Sequence, residues 1–248
     1  MRRILPYACA LLAMSVVAAC DDAIVLNVDG RHVDGSGTIV TEARDVTGFE
    51  RITLAGEGRV IVTEAEASSL TIETDDNLLA HIDTTVRSRT LEIATESGVD
   101  IDPTGSVIYR VATPEVTRLT LTGAGRFELG ECETEAFSVV LSGAGSIEVE
   151  QLVADELDVE ITGAGDVRLV GTVGSQRVSI PGAGTYDGRN LQSGLATVTT
   201  SGAGSATVWA TDQLNATVTG IGSIDYWGSP QLTESITGLG TVNARGDA

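Results

Sequence analysis

From Leu119 onward the chain alternates apolar and polar residues in short runs, and each run breaks at the same signature, Gly-x-Gly. Leu121, Leu141, Ile161, Ile180, Thr200, Val218 and Ile236 stand two residues before the first glycine. Leu119, Val139, Val159, Val178, Val198, Ala216 and Glu234 stand four before it, and Phe127, Ile147, Val167, Tyr186, Ala206, Ile224 and Val242 follow it by four. A spacing of two on both sides of the glycines is strand alternation, not helical periodicity. Each unit therefore predicts a strand, a corner, a second strand and a looser return.

The glycine pairs are Gly123 and Gly125, Gly143 and Gly145, Gly163 and Gly165, Gly182 and Gly184, Gly202 and Gly204, Gly220 and Gly222, and Gly238 and Gly240. Their first members lie 20, 20, 19, 20, 18 and 18 residues apart. A period in that range is the signature of a solenoid in which each repeat is one coil. A single short coil cannot enclose a core, but stacked coils bury the same columns against one another, about 4.8 Å apart. Glycine suits such a corner for two reasons: it accepts positive φ, and it lacks the Cβ that would crowd a stacked neighbour. The residue between the glycines is alanine in the first five corners and then Ile221 and Leu239, which predicts a roomier core or a cap at the end. A phosphate-cradling glycine loop is excluded, because it needs a helix behind it and every copy is followed by a strand pattern.

The N-terminal half joins the same series. Ile52 and Leu54 precede a corner at Gly56-Glu57-Gly58, and Val60 and Val62 follow it. Further on, a polar turn from Glu73 to Asn77 replaces the glycines, and apolar residues from Ile82 to Val111 continue the alternation. The 65 residues between Gly58 and Gly123 predict about three larger coils.

Together, Gly48-Phe49-Glu50-Arg51-Ile52, the Gly56-Glu57-Gly58 corner, Leu70-Thr71-Ile72-Glu73 with Asp76-Asn77-Leu78-Leu79, Thr113-Pro114-Glu115-Val116 and the Thr-Gly-Ala-Gly ladder resemble the bacterial head GIN domain family, named for an auto-transporter adhesin head. The likeness runs from about Arg44 to Arg245. It implies an all-β, right-handed parallel β-helix, secreted or lipid-anchored, with adhesion as its role. The family has no established catalytic residues, so none is carried over and no enzyme is expected.

Upstream, Arg2 and Arg3 precede an apolar run that ends in Val17-Ala18-Ala19-Cys20, a secretory leader too short to span a membrane comfortably. The last four residues resemble a bacterial lipobox, which implies that Cys20 becomes the lipidated first residue and anchors the protein to a membrane facing the periplasm. The expected layout is a leader over 1–19, a tether and cap over 20–43, and one solenoid domain over 44–248.

Composition then removes several chemistries. The net charge is −20 and grows more negative once Arg2 and Arg3 leave, which disfavours nucleic acid and anionic surfaces. No lysine occurs, so Schiff-base chemistry and a P-loop are out. Cys132 is left alone after Cys9 and Cys20, at a position where other coils carry Leu152 and Leu191, and is read as a small core residue. His32 and His81 each stand singly, and no metal or cofactor is expected.

Two surface features remain as candidate binding elements. Thr122, Ser142, Thr162, Ser201, Thr219 and Thr237 form a hydroxyl column just before the corners, broken only by Pro181. It suits a glycan, another rod or ice, or else its hydroxyls merely satisfy corner amides. Trp209 and Trp227 occupy equivalent positions seven residues after a first glycine and are expected side by side outside the core. Asp75, Asp76 and Asn77 offer oxygen ligands for calcium, against the plainer reading of a solvated acidic turn. The functional expectation is a non-catalytic envelope module that binds a protein or glycan. A carbohydrate-active β-helix enzyme and a self-associating rod, possible through an open terminal coil, are the alternatives.

Overall fold

The structure, a computed structural model, describes residues 31–246. The leader, Cys20 and the first part of the expected tether, up to residue 30, lie outside the described residues. Chain entry into the fold is by β1 (Arg31–Asp34) and β2 (Ile39–Arg44). Then come β3 (Arg51–Leu54) and β4 (Arg59–Glu64) around the first corner, β5 (Ser69–Asp75), a 3-10 turn at Leu79–His81, and β6 (Ile82–Arg87). β7 (Thr90–Thr95), β8 (Val99–Asp102), β9 (Ile108–Thr113) and β10 (Arg118–Leu121) complete this half.

These strands do not form three coils stacked in chain order. β3 pairs in parallel with β10 on one side and with β7 on the other, and β4 likewise lies between β11 and β9. The coil carrying Gly56 is therefore sandwiched between residues 90–113 and the coil that begins at Arg118. One coil, not three, occupies the predicted stretch, and the remaining chain becomes antiparallel cover. β2 pairs with β5, β5 with β9, and β6 with β7, all antiparallel.

The regular half is built from β11 (Arg126–Leu141), β12 (Ser146–Ile161), β13 (Asp166–Ile180), β14 (Thr185–Thr200) and β15 (Ser205–Val218). β16 (Ser223–Trp227), β17 (Gln231–Ile236) and β18 (Thr241–Ala244) form the last turns. All of these pair in parallel with their neighbours. The return is not loose: β11 and β12 match residue for residue from Phe127↔Ile147 through Cys132↔Leu152 to Leu141↔Ile161. Its inward residues break strict alternation at the bends, running Leu129, Cys132, Phe137 and Val139, so the ladder turns without losing its hydrogen bonds. Differences in coil length are absorbed there. Register shifts fall at Val149/Leu152, Arg168/Val170 and Gly188/Gln192, while the corner flanks stay aligned.

The columns read from the sequence form the core. Leu119, Val139, Val159, Val178, Val198 and Ala216 are at most 1% exposed. Burying each larger side chain contributes roughly 1.5–3 kcal/mol before chain entropy is charged against it. Between the glycines, however, the side chain points outward: Ile221 is 67% and Leu239 88% exposed, so the larger residues at the last corners fill no core.

The corners also separate the two reasons for glycine. Of the corner glycines only Gly58 has positive φ. Elsewhere crowding decides. The N–H of Ala144 donates to the Gly123 carbonyl oxygen at 3.2 Å, and a Cβ on Gly143 would lie 1.9 Å from that same oxygen. The contact repeats up the stack to Gly238 over Gly220, because the hydrogen-bond ladder passes straight through the bend.

One buried polar chain interrupts the apolar interior. The Tyr186 hydroxyl donates to Gln176 Oε1 at 2.9 Å, Gln176 Nε2 to Ser193 Oγ at 2.8 Å, and that hydroxyl to the Trp209 carbonyl at 3.0 Å. Gly188 leaves space for the ring, since a Cβ there would meet the Tyr186 hydroxyl at 2.8 Å. Each buried donor and acceptor thus has a partner, which offsets the cost of removing it from water.

Candidate functional site

The hydroxyl column lies where the spacing puts it. Thr122, Ser142, Thr162, Ser201, Thr219 and Thr237 are all exposed at the edge of one face. Their hydroxyls are not spent on corner amides. Those amides donate to carbonyls of the adjacent coil, as in Ser142 to Leu121, Thr162 to Leu141 and Thr219 to Thr200. The side chains are left facing solvent, Thr122 making only a long 3.4 Å bond to the Leu54 carbonyl.

Trp209 and Trp227 are direct cross-strand partners in β15 and β16 and are half-buried on one face. Parallel strands place their Cα atoms about 4.8 Å apart. They stand four strand residues beyond the corner, roughly 13 Å from it, on the strand that leaves the glycines. The hydroxyl column lies on the strand that reaches them, so the two features do not form a single surface.

A third feature was not singled out from the sequence. On the same strands as the column, an open groove of about 570 Å³ crosses six coils. Its long axis follows one register line, Arg51↔Arg118↔Ser138↔Asp158↔Arg177↔Thr197. Glu156 and the 47% exposed Leu195 lie on its flank. The signal was present as identical offsets from successive corners, but only the ladder between β3 and β10 brings Arg51 next to Arg118.

At the opposite end, the acidic turn is solvated only in part: Asp76 and Asn77 are exposed, but Asp75 is not. Asp75 is fully buried, and its carboxylate accepts the Gly37 N–H at 2.7 Å, the Thr104 N–H at 3.0 Å and the Thr104 hydroxyl at 2.8 Å. Burial pushes its pKa up, but the Thr104 hydroxyl and the two N–H groups outweigh that and hold it below the ordinary value of 3.8. Asp76 accepts from the Ser36 hydroxyl, while Asn77 takes the Ser36 N–H and donates to the Asp34 carbonyl. Both Asp75 oxygens, Asp76 Oδ1 and Asn77 Oδ1 thus accept from protein donors, and the turn clasps the N-terminal segment.

Nor does His32 stand singly. β1 and β8 pair in register, so His32 meets Asp100 through Nδ1 at 3.0 Å and Asp34 through Nε2 at 3.2 Å, with Asp102 alongside. The Asp100 bond and nearby negative charge hold its pKa above 6.5. His81 Nδ1 lies 2.7 Å from Glu96.

Cys132 is buried and unpaired. Burial and the adjacent Glu64 push its thiol up to about 12, the opposite of a reactive thiolate. Glu64 is itself raised, by burial and by repulsion from Glu115 and Glu133.

These features define a β-solenoid with long exposed side-chain ladders and an open lateral groove. The chain belongs to the family described as "Putative auto-transporter adhesin, head GIN domain", which matches residues 48–230. A solved structure described as a putative adhesin from Bacteroides fragilis is 26% identical, with a TM-score of 0.81 over 86% of this chain and 99% of that one. A putative lipid binding protein from Parabacteroides distasonis shares the fold at 24% identity and a TM-score of 0.72, and a putative adhesin from Parabacteroides merdae at 23% and 0.69. Each likewise covers 86% of this chain and 99% of its own. No curated protein matches the chain.

Proposed function

We propose that this domain is a non-catalytic, adhesin-like binding module of the bacterial cell envelope, held to a membrane by lipid on Cys20, and that it engages its partner along the solenoid flank. The carrying observation is the continuous ladder with its open groove, in a family described as "Putative auto-transporter adhesin, head GIN domain". Contact with an extended partner needs a long, regular, pre-formed surface, and parallel stacking supplies one without ordering cost. Adherence of cells producing the protein, compared with cells lacking it, to envelope and glycan-coated surfaces tests the role. Equal adherence would remove it. Palmitate incorporation lost in Cys20→Ser tests the anchor.

The enzyme alternative has one observation in its favour, the raised pKa of Glu64 near Glu115 and Glu133. These three side chains are exposed and converge on no enclosed cleft, whereas glycoside hydrolysis needs two carboxylates across a bound bond. Depolymerisation of any polysaccharide, abolished by Glu64→Gln, would reverse the order.

A further inference from the structure

Acids outnumber basic residues 35 to 15 in this chain, so an arginine without a carboxylate partner is unexpected. Arg44, Arg59, Arg89, Arg110, Arg126, Arg189 and Arg245 all have one. Arg51, Arg118 and Arg177, like Arg31, Arg87 and Arg168 elsewhere, make no ion pair among the described residues, and these three gather along one groove. Arg118 Nε donates to the Ser138 hydroxyl at 3.1 Å. Arg51 reaches the Ser88 carbonyl through Nη2, and its Nε is covered yet meets no acceptor. Such a covered donor normally has a partner.

Arg51 and Arg118 are register neighbours, about 4.8 Å apart at Cα; Arg51 Nη2 turns to the Ser88 carbonyl and Arg118 Nε to the Ser138 hydroxyl, so the groove offers an anion the guanidinium N–H groups that remain on each. Further along, Glu156 and Asp158 present acceptors only, which suits hydroxyl donors and repels a second anionic group. The exposed Leu195 adds an apolar patch at the far end. A dense polyanion does not fit, because the groove itself carries two carboxylates and the whole chain repels it.

We infer that the groove is the seat of a glycan bearing isolated carboxylates on an otherwise neutral chain. The acid group lies between Arg51 and Arg118, and sugar hydroxyls face Glu156 and Asp158. This rests on the binding-module reading and gives it a ligand class.

The test is calorimetric titration of the purified mature protein with three probes: a hyaluronan hexasaccharide, whose uronates alternate with neutral sugars, the same oligosaccharide with its carboxyls reduced, and heparin. The uronate form is expected to bind at least tenfold more tightly than the reduced one, roughly the value of one charge-assisted contact. Arg118→Gln should lose that preference, whereas Arg168→Gln, outside the groove, should keep it. Circular dichroism establishes that both variants fold. Equal binding of acid and reduced forms, preference for heparin, or equal losses in the two variants would overturn the inference. Failure of every oligosaccharide to bind, while the protein still mediates adherence, removes the ligand class and leaves the module reading standing; loss of both removes both.

Discussion

The carbonyl oxygen of Gly123 lies 1.9 Å from where a side chain on Gly143 would begin. It is held there as acceptor for the Ala144 N–H, so it cannot withdraw without breaking the ladder. Gly143→Ala should therefore cost about 3 kcal/mol or more, at the severe end of overpacking. Gly130, inside β11, is a control: a Cβ there meets nothing within 4 Å, and Gly130→Ala should change stability by less than about 0.5 kcal/mol. Urea unfolding of both variants reads the difference, and similar midpoints would refute the steric account of the corners.

Thr200 occupies the column otherwise filled by Leu141, Ile161, Ile180 and Val218, fully buried, with its hydroxyl lacking a partner. Thr200→Val removes that hydroxyl while keeping the branched shape, and should stabilise by about 1 kcal/mol. Tyr186→Phe should do the reverse, because it strips Gln176 Oε1 of its donor in the interior. Opposite shifts in thermal midpoint are expected. A stabilised Tyr186→Phe variant would show that the polar chain is dispensable.

Asp75 and His32 give the N-terminal clasp a pH window. The folded pKa of Asp75 is depressed, so its contribution is complete above about 3.8 and is lost as pH falls through the lower folded value. His32 is raised, so its contribution is complete below about 6.5 and is lost as pH rises through the higher folded value. NMR titration should place the His32 midpoint above 6.5 and return it towards 6.5 in Asp100→Asn. The protection factors against amide exchange at Gly37 and Thr104 should fall in acid, and protection that does not change with pH would contradict the clasp.

Glu234 stands in an inward column, directly over Ala216, at the open end of the stack. An inward charge on an edge strand discourages further pairing. Glu234→Val should expose a self-complementary apolar end and make the particle mass rise with concentration in light scattering. A variant whose mass stays constant would mean that something other than this charge keeps the end free.

The corner columns were legible because every coil repeats them at fixed offsets from glycine, and β11 to β15 follow that pattern. Coil order was not. Nothing in the residues from Ser69 to Thr113 states that β7 passes beneath β3, since stacking partners 39 residues apart leave no periodic trace. For the same reason, His32 looks solitary until β8 brings Asp100 beside it, 68 residues away. Asp75 was misread because polar composition signals a solvated turn, yet three donors from Gly37 and Thr104 bury it. Gln176 and Ser193 escaped notice because they are polar residues at inward positions, Gln176 in register with Leu157 and two residues before Val178.

The intercalated coil of β3 and β4 has a consequence for how the molecule comes into being. Growth cannot run from one tip to the other in the order of synthesis: β10 must find β3 across 67 residues before the regular coils have a template, and β7 must close from beneath. That closure over a long loop carries the entropic barrier, and the later turns then add by contacts of short range. Assembly nucleates near the β7 end of the stack and spreads towards the C-terminal corners, so the last corners to be made are the first exposed when it comes apart.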